Sequence, residues 1–177
     1  MPIPLTDAQK QKMNHLRPDI GYIPTALDLV NAMLALANVN SNDILYDLGS
    51  GDGRVAIAAA QQCGARGVGI DIDPERIRIA KENAFLAGVS DRVEFRQQNL
   101  FESDFSEATV VFLYLLPHLN LKLVPQLFCQ LKPGTRIVSH DFDIGNWKPD
   151  RTIQMISSED EESTLYYWVM PEDIPQV

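Results

Sequence analysis

Apolar residues recur along this chain in two alternating rhythms. Short strand-like runs at 44–48, 67–70, 93–96, 109–114 and 135–140 are separated by stretches where apolar residues return every three or four positions. The first pattern suits strands in a buried sheet and the second suits amphipathic helices. Ahead of the alternation, Thr6 and Gln9 form a capping-box pattern for a short polar helix. Pro18 and Pro24 make 17–24 extended. Thr25 reads as the cap of a helix carrying Leu29, Ala32, Met33, Leu36 and Ala37 on one face. Residues 38–42 form a turn.

The strands then alternate with helices, which implies a parallel sheet. A helix over 55–61 follows the first strand. A second has Asp73 as its cap, Pro74 at its first position and Gly88 past its end. The fourth strand, 109–114, is almost wholly apolar and is expected at the centre. A helical stretch over 117–131 contains Pro125, which predicts a kink or two short helices. The runs at 152–157 and 164–170 predict a terminal hairpin. The expected architecture is α/β: a single doubly wound Rossmann-like sheet, mostly parallel, with a C-terminal antiparallel hairpin.

The chemistry concentrates where the first strand meets its helix. Asp47, Gly49, Gly51 and Gly53 form D-x-G-x-G-x-G, and about twenty residues later the second strand ends on Asp71. This layout marks a nucleoside-cofactor site. A dinucleotide fingerprint wants a third glycine where Arg54 stands, so that pattern fails. A pyrophosphate favours a helix N-terminus free of nearby anions, yet Asp47 and Asp52 flank this loop. No G-x-x-x-x-G-K-[ST] occurs in the chain. Carboxylates there suit a cationic ligand without phosphate, and S-adenosylmethionine (SAM) has that character.

With these motifs in this order, the chain resembles the class I, seven-strand SAM-dependent methyltransferases. The resemblance implies Asp47 near the methionine amino group, with Gly49, Gly51 and Gly53 forming the loop against the cofactor. It implies Asp71 on the ribose hydroxyls, Ile72 against the adenine, and Asn99 with Leu100 at the adenine edge. The flanks narrow the likeness. Tyr22-Ile23-Pro24-Thr25, the glycine motif, Val110-Val111-Phe112 leading to Pro117, and Asn146-Trp147-Lys148-Pro149-Asp150 are similar to the protein-lysine N-methyltransferases of the ATP synthase c-subunit and adenine nucleotide carrier type. That similarity suggests Tyr22 and Thr25 near the methionine end. It also makes 1–42 a helical segment packed over the cofactor site and 43–177 the methyltransferase core, one domain overall. The family's second strand ends on Glu where this chain has Asp71, and the exit of strand four differs. Fold and cofactor therefore carry over further than the acceptor.

The acceptor is expected beyond strand four, beside Tyr114 and His118, which are the candidate catalytic residues. Tyr114 and Trp147 are candidates for an aromatic slot, and His118 and Asp141 for proton handling. The favoured reading is methyl transfer to a lysine amine of a protein. A small-molecule acceptor and a non-catalytic SAM-binding regulatory module remain open. A nicotinamide-dependent oxidoreductase is disfavoured by Arg54.

Bulk properties bound these readings. A length of 177 residues fits one domain. A net charge of −9 argues against a broad nucleic-acid footprint. Cys63 and Cys129 lie far apart without metal-ligand spacing, so no metal is expected. No run of about 18 apolar residues predicts a membrane span, and the N-terminus shows no signal-like apolar region. The expected location is the cytoplasm.

Overall fold

A computed structural model describes residues 24–173. The helix expected from the capping box at Thr6, and Tyr22, lie outside the described residues. Helix α1 spans Leu27–Leu36. The alternation then runs β1 (Ile44–Leu48), α2 (Arg54–Cys63), β2 (Arg66–Asp71), α3 (Pro74–Leu86), β3 (Val93–Gln97), a 3-10 turn (Leu100–Glu102), β4 (Val110–Leu113), α4 (Pro117–Gln130) and β5 (Arg136–His140). The hairpin is β6 (Arg151–Ile156) and β7 (Glu162–Val169). One seven-stranded sheet has the order β3-β2-β1-β4-β5-β7-β6, with β7 antiparallel to both its neighbours.

The strand patterns explain the layers. In β4, Val111 and Leu113 face a core that includes Leu119, Leu123 and Leu127 of α4. Val110 and Phe112 face the opposite core, shared with α1, α2, Leu45, Val138 and Leu165. This period of two, apolar on both sides, places β4 in the middle of the sheet. Helix α1 is built into the sheet's packing, because its Val30, Met33 and Leu34 belong to that second core.

Boundaries at α3 follow the punctuation. The Asp73 side chain accepts from the Glu75 N–H, Pro74 opens the helix, and Gly88 follows with φ +71°. Two expectations fail. First, α4 runs unbroken through Pro125. The carbonyl orphaned by that proline belongs to Leu121, which sits half exposed on the solvent side, where water can satisfy it. Second, Thr25 does not cap α1. Ala26 holds that position without a side-chain bond, and the Thr25 hydroxyl turns to His140 instead.

The sheet's N-terminal edge is pinned by Asp43, which is buried. Its carboxylate accepts from the Asn40 N–H at 2.9 Å and the Thr109 hydroxyl at 2.8 Å, and it pairs with Arg136. Close packing of α2 on the sheet comes from β2. A Cβ on Gly67 would lie 2.9 Å from Ala56 Cβ. Glycine there performs the helix–strand approach that the dinucleotide motif assigns to the position held by Arg54.

Candidate active site

The chain winds outward from β1 through β2 to β3, then crosses back to β4 on the other side of β1. The crevice of an open α/β sheet lies at the carboxyl ends of the strands beside such a reversal. The loops after β1, β2, β3 and β4 therefore define the site. They touch at the switch point, because a Cβ on Gly49 would lie 3.4 Å from Leu115 Cδ2.

Gly49, Gly51 and Gly53 take φ of +94°, +54° and +83°. Gly53 is also the residue that caps α2. The Asp71 carboxylate braces this loop: Oδ2 accepts from Gly51 N–H at 2.9 Å and Oδ1 from Asp73 N–H at 3.0 Å. Each oxygen keeps a further lone pair for donors such as ribose hydroxyls. Asp47 is 7% exposed and receives no side-chain hydrogen bond from the described residues. Burial pushes its carboxyl well above the usual range, with Asp71 and then Asp52 adding repulsion. A buried acid in that state is a receptor for an ammonium group. The Ser50 hydroxyl in the same loop is also buried, without a partner among the described residues.

Asp52 behaves differently from expectation. It forms an ion pair with Arg54 at 2.6 Å, so its charge is partly balanced, although it still adds to the repulsion on Asp47. The negative character of the site comes mainly from Asp47 and Asp71, with a smaller part from Asp52. Arg54 also donates to the Thr25 carbonyl at 3.0 Å, which ties the segment before α1 to the glycine loop. Past β2, Ile72 is half-buried and Asn99 is exposed. The Asn99 Oδ1 accepts from Phe101 N–H at 3.0 Å, and Leu100 is buried. These acceptors and apolar walls fit a cationic nucleoside such as SAM: buried carboxylates at Asp47 and Asp71, with apolar side chains at Ile72 and Leu100.

Beyond β4, the Tyr114 ring lies tilted against His140 with centroids 4.0 Å apart and stacks against Phe142 at 6.2 Å. Burial, reinforced by Asp141 and then Glu161, pushes its phenol up to about 12. At neutral pH it is a protonated aromatic wall rather than a base. His118 is exposed at the start of α4. Asp141, with φ +63°, accepts from Thr164 N–H at 3.0 Å. Trp147 is not part of an aromatic slot. It is 9% exposed, packs on Phe128 and Trp168 at 4.8 and 5.7 Å, and its carbonyl accepts from the Trp168 indole. Phe142 takes that place beside Tyr114. Sequence reasoning also missed His140. Its signal was a titratable residue ending an apolar strand.

The sequence profile of the ANTKMT methyltransferase domain matches residues 47–151. A protein-lysine N-methyltransferase of Saccharolobus islandicus (strain REY15A) is 44% identical over 156 residues, covering 88% of this chain and 96% of that protein. The adenine nucleotide translocase lysine N-methyltransferase of Mus musculus is 31% identical over 76% of this chain, which spans 58% of that relative. Among solved structures, an RNA methyltransferase from Salinibacter ruber in complex with S-adenosyl-L-homocysteine is 57% identical. It superposes with a TM-score of 0.83 and covers 88% of this chain and 98% of that one. The glycine loop, the acid ending β2 and these similarities converge: the chain belongs to the ANTKMT methyltransferase domain family and is a SAM-dependent methyltransferase.

Proposed function

We propose that the protein transfers methyl groups from SAM to the side-chain amine of lysine in a protein acceptor. The observation that carries this reading is the 44% identity to a protein-lysine N-methyltransferase across nearly its whole length. The β4 exit supports it. Tyr114 and Phe142 offer ring faces for an alkyl chain and its ammonium, and Asp141 and Glu161 lie near enough to Tyr114 to raise its pKa.

SAM supplies, when bound, a methyl on positively charged sulfur that is already activated for displacement. The chain's work is to bind, align and desolvate. A lysine amine, with an unperturbed pKa of about 10.4, must lose a proton before it attacks. An apolar slot beside Tyr114 and Phe142 favours the neutral amine. Tyr114 and Phe142 would hold the neutral amine in line with that methyl, so that transfer would leave the electron pair on sulfur and the surplus proton on nitrogen. The new ammonium sheds its surplus proton to solvent or to a nearby carboxylate, for which Asp141 is the candidate, with exposed His118 at the start of α4 as the second candidate.

A second reading, an RNA acceptor, is favoured by the 57% identity to the Salinibacter ruber RNA methyltransferase. The net charge of −9 weighs against it. The cytoplasm is our proposed setting, supported by two free cysteines. Methyl-labelled SAM incubated with the enzyme and a cell lysate, followed by fractionation and acid hydrolysis, tests the acceptor. The expected product is methyl-lysine in the protein fraction. Label confined to RNA or to small molecules overturns the proposal.

A further inference from the structure

His140 has no role in the reading above, yet polar groups from three segments meet at its ring. Its ring is 4% exposed, at the carboxyl end of β5. Nδ1 lies 3.2 Å from the Thr25 hydroxyl, and Nε2 lies 3.1 Å from the Ser163 hydroxyl and 3.4 Å from Asp141 Oδ2. Its face carries Tyr114. Thr25 is held at both ends: its hydroxyl reaches His140 and its carbonyl accepts from Arg54, which pairs with Asp52 of the glycine loop. One residue thus links the loop after β1, the end of β4, the start of β7 and the segment before α1.

The contacts favour one tautomer. Hydroxyls at both nitrogens can donate or accept, but the Asp141 carboxylate 3.4 Å from Nε2 can only accept, which favours the single proton of a neutral ring on Nε2. Nδ1 then accepts from Thr25, whose hydroxyl hydrogen is fixed toward β5. Its oxygen lone pairs are left for donors on its other side. We propose that His140 is a positioning residue that, with its proton on Nε2, orients the Thr25 hydroxyl as an acceptor for the cofactor's amino-acid end and supports Tyr114 from below. This inference rests on the cofactor reading and on Tyr114 as the acceptor wall.

The charged and titratable groups around the ring are few among the described residues. Asp141 follows it in the chain, Tyr114 packs from just beyond β4, and Glu161 of the β6–β7 turn acts on Tyr114. Arg54 of α2 engages the Thr25 carbonyl, and Asp28 of α1 is taken by the Ser158 N–H at 2.6 Å. Burial holds the imidazole below its ordinary range, opposed by Asp141. Protonation on the acid side makes Nδ1 a donor. The Thr25 hydroxyl must then rotate, exchanging its acceptor face toward the cofactor for a donor face.

The test uses the full chain with S-adenosylhomocysteine as the probe. Its affinity is measured by calorimetry from acid to mild alkaline pH for wild type, Thr25→Val, His140→Ala, His140→Asn and the Thr25→Val/His140→Ala double variant. Thr25→Val and His140→Ala should each weaken binding about tenfold, the weight of one hydrogen bond. The double variant should be little weaker than either single one. His140→Asn, whose amide oxygen can stand near the position of Nδ1, should recover most of the affinity and lose the acid limb of the pH profile. Imidazole nitrogen NMR should report the Nε2–H tautomer, and Thr25→Val should shift the Nδ1 resonance. Additive losses, an unchanged acid limb in His140→Asn, or the Nδ1–H tautomer overturns the proposal. A purely structural role would lower melting temperature in all variants without these signatures. Because the probe needs no acceptor, failure here is distinct from failure of the lysine assignment in the labelled lysate.

Discussion

Gly53→Ala tests the loop at its tightest point. Gly53 sits at φ +83° and ψ +5° as the cap of α2, a left-handed conformation that costs an L-residue about 1–2 kcal/mol. The added methyl would also lie 2.6 Å from Phe95 Cζ, 2.9 Å from Phe95 Cε1 and 3.0 Å from Ala80 Cβ. Phe95 is buried in the α2–α3 core beside Ile77 and Ala84, so its ring has no open space to enter. Such overpacking costs roughly 1–3 kcal/mol, which makes the expected loss about 2–5 kcal/mol in all. Urea unfolding should show a lower midpoint with an unchanged slope. Melting should fall by roughly 4–20 °C for a domain of this size. The two causes separate in a double-mutant cycle. Phe95→Leu removes the ring atoms that clash, so Gly53→Ala in that background should lose about 1 kcal/mol or more less than in the wild type. The remaining penalty is the backbone cost. A loss under about 1 kcal/mol, or strict additivity with Phe95→Leu, would refute the reasoning.

Other outcomes follow from the same geometry. Asp71→Ala deletes the acceptor of two backbone N–H groups and the carboxylate facing the ribose. Calorimetry should show S-adenosylhomocysteine binding weakened at least about a hundredfold, and an unchanged affinity would make the ribose assignment wrong. Asp47 has a carboxyl raised above its unfolded value by burial, so its ionisation opposes folding. Its contribution to stability is complete below the unfolded value of about 3.9 and is lost as pH rises through the higher folded one. Asp47→Asn should therefore raise the melting temperature of the ligand-free protein at neutral pH while weakening the cofactor about thirtyfold or more; equal or lower stability contradicts the burial argument. Asp43→Ala breaks a half-buried pair with Arg136 at the opposite edge of the sheet. It should cost about 3 kcal/mol in denaturant titrations yet leave cofactor affinity per folded molecule intact, and a parallel loss of affinity would show that the two edges are coupled.

Most of the scaffold was legible because its signals are local. Asp73, Pro74 and Gly88 mark the ends of α3 through backbone chemistry within a turn of each other. The glycine motif fixed the crevice in the same way. What escaped depends on distant partners. Thr25 has the right chemistry for a cap, but it bonds to a residue 115 positions away. Trp147 has the right chemistry for a cation slot, but it meets two aromatic rings from α4 and β7. The hairpin was visible, but its order in the sheet was not. Leu165 and Trp168 bury opposite faces of β7, whereas β6 has only a half-buried face, so β7 is the inner strand. Periodicity alone does not assign neighbours. Pro125 misled because an internal proline removes one helical hydrogen bond and crowds the preceding turn, and where the orphaned carbonyl sits on a half-exposed residue such as Leu121 the helix can run on.

The insertion of β7 between β5 and β6 has a bearing on how the molecule is made. Translation delivers β6 before the strand that must separate it from β5. Until residues 162–169 emerge, β5 is a bare apolar edge, and Leu165 and Trp168 are missing from their two cores. A released chain that ends at about residue 160 therefore presents an open pairing template to neighbouring polypeptides, and such truncated chains are where aggregation, protease attack and chaperone capture should concentrate.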